Sequence, residues 1–100
     1  MILGKKVRVG PLDFTIRIAP VLQDSNRGMI DHWTEEIGIA EMNANEQYRT
    51  FWHEIVHSIL DSAGQYDAAC DEAIVSCLAH GIAGVLKDNP WVRRFYEKVK

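Results

Sequence analysis

One hundred residues fit a single domain, 1–100, with no internal repeat. The 47% hydrophobic and 25% charged shares are those of a globular chain, which excludes disorder, a collagen-like repeat and a low-complexity tail. Eleven Lys and Arg against fourteen Asp and Glu leave a net charge of -3, so nucleic acid is not expected as a partner. No apolar run approaches the ~18 residues of a membrane span, and no apolar segment follows Lys5-Lys6 as in a secretory signal. A cytoplasmic protein without a membrane partner is expected.

The first half reads as strands. Residues 5–9 and 13–18 alternate in character around Gly10-Pro11, the pattern of a hairpin or bent strand pair. Pro20 closes that segment, and residues 23–28 form a polar connection. Residues 28–33 and 37–42 form a second strand pair around Thr34-Glu35-Glu36. A small antiparallel sheet of three or four strands is expected.

The second half reads as helices. Asn43 followed by Glu46 is a helix start, because the asparagine can accept from the third helical amide. Tyr48, Trp52, Ile55, Val56, Ile59 and Leu60 then recur at helical spacing, one apolar stripe running to about Ser62, and Gly64 ends it. Asp67 is expected to cap a second helix with the stripe Ile74, Val75, Leu78, Ile82, Val85 and Leu86, stopped by Asn89-Pro90. Residues 91–99 read as a short terminal helix or arm that packs its aromatics and leaves its arginines in solvent. Cys70 and Cys77 lie in the second helix about 10 Å apart, beyond disulfide reach. They are expected as buried or half-buried thiols in a reducing compartment.

The chemistry is concentrated at His53-Glu54-Ile55-Val56-His57. Histidines at i and i+4 share one helical face, so both imidazoles can converge on one metal ion, and neutral imidazole suits Zn2+. Both stand off the apolar stripe that Trp52 and Val56 fill, which argues against two core histidines. Glu54, turned about 100° from His53, is placed beside such an ion, where it can take a proton from activated water. A third ligand is needed, and Cys70, Cys77, Asp71 and Glu72 are available. Helical phasing puts Asp71 near the centre of the second stripe and Glu72 on its flank with Ser76 and Ala79. From that flank Glu72 can reach a metal on the first helix without entering the core.

These residues resemble the gluzincin clan of zinc metallopeptidases. The likeness is nearest to its small ImmA/IrrE-like branch, common in phages and mobile elements. The branch combines a short sheet, an HExxH helix and a second helix reading roughly E-x-x-A-[ND]-x-F-A. Glu72, Val75, Leu78 and Ala79 match that second pattern in type, and the likeness covers about residues 28–88. It implies a minimal zincin-like α+β domain with His53, His57 and Glu72 as zinc ligands and Glu54 as general base. Ser76 stands where the family has Asp or Asn to orient a ligating histidine, which implies weaker support for that ring. No counterpart of the N-terminal helix of larger relatives is expected within residues 1–100.

His80, Tyr66 and Tyr96 are candidates for holding an oxyanion. His32, beside Trp33, reads as structural. Two functions compete: a zinc peptidase acting on a peptide or protein paired along the strand at 37–42, and a non-catalytic module that zinc staples together. Glu54 favours the first, because a purely structural site has no need of a base.

Overall fold

A computed structural model of the chain describes residues 4–20 and 27–99. Four strands precede four helices among them: β1 (Lys6–Val9), β2 (Leu12–Ala19), β3 (Gly28–Asp31), β4 (Glu36–Ala40), α1 (Ala44–Ser62), α2 (Tyr66–Ala69), α3 (Glu72–Asp88) and α4 (Trp91–Tyr96). Residues 23–26 of the expected polar connection lie outside the described residues.

β1 and β2 form the expected hairpin, with Val9 opposite Leu12 and Gly10 at φ 57°, a left-handed conformation that a Cβ disfavours. β3 and β4 also pair antiparallel, Ile30 opposite Ile37. The all-antiparallel expectation fails between the two hairpins. There β2 and β4 run parallel, with Ile16 beside Ile37 and Ile18 beside Ile39, so the sheet is mixed, in the order β1-β2-β4-β3. The strand chemistry fits the interior place of β4. Ile37-Gly38-Ile39-Ala40 carries no charge and suits the sheet interior, whereas β1 and β3 carry Lys6, Arg8 and Asp31, charges that discourage further pairing at an edge. The strand at 37–42, expected as the open edge for a substrate, therefore has both neighbours occupied. β3 is the edge beside it.

Phe14, Ile16, Ile37 and Ile39 are at most 2% exposed, and Ile55 of α1 packs onto them with Phe51 and Trp52 alongside. Each such side chain contributes roughly 1.5–3 kcal/mol of burial. On its other side α1 places Val56 against Val75 and Ala79 of α3. The helix is thus a middle layer between sheet and α3, and its single expected stripe divides between two partners. Ile59, expected within that stripe, is 45% exposed.

α3 is capped by Asp71 rather than Asp67. The Asp71 Oδ1 accepts from the N–H groups of Ala73 and Ile74 at 3.0 and 3.2 Å, while Asp67 sits in the separate turn α2. The helix buries Val75, Ala79 and Ala83, and leaves Ile74, Leu78, Val85 and Leu86 exposed. It is turned by roughly 80° from the expected stripe. The small residues let α3 approach α1 closely, and the Tyr48 hydroxyl donates to the Ala83 carbonyl across that contact at 3.0 Å. Both cysteines are exposed rather than buried, and Cys70 ends α2 instead of sharing a helix with Cys77. In α4 the aromatics Trp91, Phe95 and Tyr96 are exposed, not packed as expected. No helix among the described residues is long and apolar enough to cross a membrane.

Candidate metal centre

The centre is built from two helix starts. Asn43 Oδ1 accepts from the Glu46 N–H at 3.0 Å and begins α1, whose second half carries His53 and His57 one turn apart. The Asp71 cap begins α3 at Glu72, directly across from them. Glu72 Oε2 lies 2.9 Å from His53 Nε2, and Glu72 Oε1 lies 3.1 Å from His57 Nε2. The two Nε2 atoms are 3.2 Å apart.

The donor set fits zinc. The Ala69 carbonyl can only accept, so His57 Nδ1 donates to it at 2.7 Å, and the neutral ring then offers a bare Nε2. Lone pairs that face one another at this range need a cation or a proton between them. The edges of a tetrahedron of N and O donors around zinc are about 3.3 Å, close to the separations above. Among the described residues His53, His57 and Glu72 form the one such group, so Cys70, Cys77 and Asp71 stand apart from it. Ser76 faces His53 as the pattern implies, but its Oγ is 3.5 Å from Nδ1, the long limit of a hydrogen bond.

Glu54 lies beside the group without joining it, and only 6% of it is exposed. Burial pushes its carboxyl up to about 7; the nearby Glu72 charge adds to the rise and His57 opposes it. β3 approaches here. A Cβ built on Gly28 would stand 2.5 Å from Thr50 Cγ2 and 3.3 Å from Glu54 Oε2, so a side chain at this position would push strand and helix apart.

Arg27, Gly28 and Met29 complete a cleft of about 380 Å³ with His53, Glu54, His57 and Glu72. Arg27 is the residue that reasoning from sequence missed. Its signal, one cation just before an edge strand, gains meaning only once that strand is placed over α1. Neither Tyr66, Tyr96 nor His80 lines this cleft. His80 lies in a different one, of about 410 Å³ between α1 and α3, with Tyr48, Arg49 and Lys87. His32 follows β3, stacks edge-on against Phe14 and has Nε2 3.5 Å from Asp61 Oδ2, a structural placement. Comparisons with family models, characterised proteins and solved structures return no match to this chain.

Proposed function

We propose that the chain is a zinc-dependent metallopeptidase, with His53, His57 and Glu72 holding the ion and Glu54 acting as general base. The observation that carries this reading is a convergent set of three donors with a buried carboxyl beside it and not in it. When bound, zinc supplies Lewis acidity toward water and the scissile carbonyl. The Ala69 carbonyl keeps His57 in the tautomer that leaves Nε2 free. Glu54 accepts the proton that water gives up and passes it to the leaving amine. Arg27, the cation of the cleft lining, offsets charge that develops on the substrate carbonyl. Among the described residues β3 is an edge strand of the sheet, so an extended peptide can add there, beside the cleft.

The test combines metal analysis with a cleavage assay on a proteome-derived peptide pool. We expect about one zinc per chain, cleavage by the wild type, and a loss of 10²–10⁴-fold in Glu54→Gln with zinc content unchanged. Cleavage that survives in Glu54→Gln, or a protein that binds no zinc, overturns the reading.

One observation favours a zinc-stapled module without catalysis. None of His80, Tyr66 and Tyr96, the candidates for holding an oxyanion, lines the cleft, leaving Arg27 as the candidate for that task. Under this second reading zinc is bound, stability depends on it, and no peptide in the pool is cut.

A further inference from the structure

α3 is apolar on two sides, and only one of them meets α1. The other carries Ile74, Leu78 and Val85, which are 43, 44 and 54% exposed, with exposed Cys77 and Gly81 between them. Spacings of i, i+3, i+4, i+7 and i+11 hold these five within an arc of about 100°. A Cβ built on Gly81 meets nothing within 4 Å, so a second helix can come close there.

This face is self-complementary. Ile74 and Val85 lie equally far from the midpoint of Ala79 and His80, and so do Leu78 and Gly81. A two-fold axis at that midpoint sets Leu78 of each copy against Gly81 of the other, a large side chain facing a gap. It also sets Ile74 against Val85.

Charge agrees with an antiparallel arrangement. The segment 66–71 carries Asp67 and Asp71 and no cation, whereas 87–98 carries Lys87, Arg93, Arg94 and Lys98 against Asp88 and Glu97. Antiparallel helices put the acidic end of one copy beside the basic end of the other; parallel helices would oppose like charges.

We propose that this face of α3 is the contact of a two-fold symmetric homodimer, with the helices of the two copies crossing antiparallel near Leu78 and Gly81. Glu72 lies about 160° around the helix from the contact, so the dimer leaves the metal cleft open. Isologous contacts of this kind are the commonest form of protein self-association.

Sedimentation equilibrium at about 100 μM, a range that detects a modest interface, reads the outcome directly. We expect a mass near twice the 11.4 kDa of the chain. Leu78→Glu and, separately, Gly81→Leu should each weaken association by at least about tenfold, the equivalent of one buried contact. Circular dichroism should stay unchanged, because both positions are exposed, and Ile59→Glu on α1 should leave the dimer intact.

Cross-linking checks the register. Along antiparallel helices the two Cys77 residues stand about 8 Å apart in axial position, whereas each Cys70 precedes the start of its α3, and those starts lie about 22 Å apart. A short bis-maleimide should therefore join copies through Cys77, in the wild type and in Cys70→Ser but not in Cys77→Ser. A monomer at this concentration, or a dimer indifferent to both α3 substitutions, overturns the proposal. Cross-linking through Cys70 alone overturns the antiparallel register.

Discussion

α1 and α3 begin in the same way and are covered differently. Each starts from an Asx cap, at Asn43 and Asp71, and they run for 19 and 17 residues. α1 is the more polar, yet it buries even Glu54 and Ser58, because the sheet covers one side and α3 the other. α3 is richer in Ile, Leu and Val, yet it turns Val75, Ala79 and Ala83 inward and leaves Ile74, Leu78, Val85 and Leu86 exposed. A helix between two layers can bury even a carboxyl and a hydroxyl, whereas an outer helix buries the face its partner can approach. Here that face has small residues, and it brings Glu72 and Ser76 toward the histidines of α1.

The sharpest way to break this arrangement is at the metal. His57→Ala removes a donor from α1 and with it the bridge to Glu72 of α3. We expect zinc affinity to fall by more than about 100-fold, read by competition with a chromophoric chelator, together with a lower melting temperature. Full zinc occupancy in this variant would rule out the proposed ligand set.

The unequal cover of the two helices predicts unequal costs of truncation. Ile55→Ala, within the sheet-facing core, should cost about 2–5 kcal/mol, while Leu78→Ala should stay within about 0.5 kcal/mol at low protein concentration. Urea denaturation of both variants measures the contrast, and similar values would mean that α3 is covered as deeply as α1.

Gly28→Ala tests how closely β3 lies on α1. The added methyl meets Thr50 and Glu54, so we expect a loss of about 1–3 kcal/mol and lower cleavage activity with zinc retained. The smallest contrast distinguishes the start of α3 from that of α2. Asp71→Ala should cost about 1 kcal/mol and Asp67→Ala less than about 0.5 kcal/mol, measured by thermal unfolding. The reverse order would restore Asp67 as the cap.

Features encoded by near neighbours were legible in the sequence. The hairpin at Gly10-Pro11, the Asn43 cap and the shared face of His53 and His57 each depend on residues a few positions apart, where turn chemistry and the 3.6-residue period decide. Glu72 was legible only in part: it lies about 100° from the centre of the expected stripe but about 20° from the centre of the face that α3 buries, so the turn of the helix is what brings it to the histidines.

The tertiary structure decided what depends on distant partners. Alternation told which side of a strand is apolar but not which strand lies beside it, so the parallel pairing of β2 with β4 and the edge position of β3 emerged only in the assembled sheet. Periodicity likewise pointed to one stripe of α3, through Ile74, Leu78 and Val85, and the packed helix turns a different face inward. The choice came from packing: Ala79 and Ala83 admit α1 at a distance that Leu78 and Val85 would prevent. The depth of Glu54 follows from the same assembly, because its burial is the work of β3 and α3 on either side of a helix whose own sequence reads as polar there.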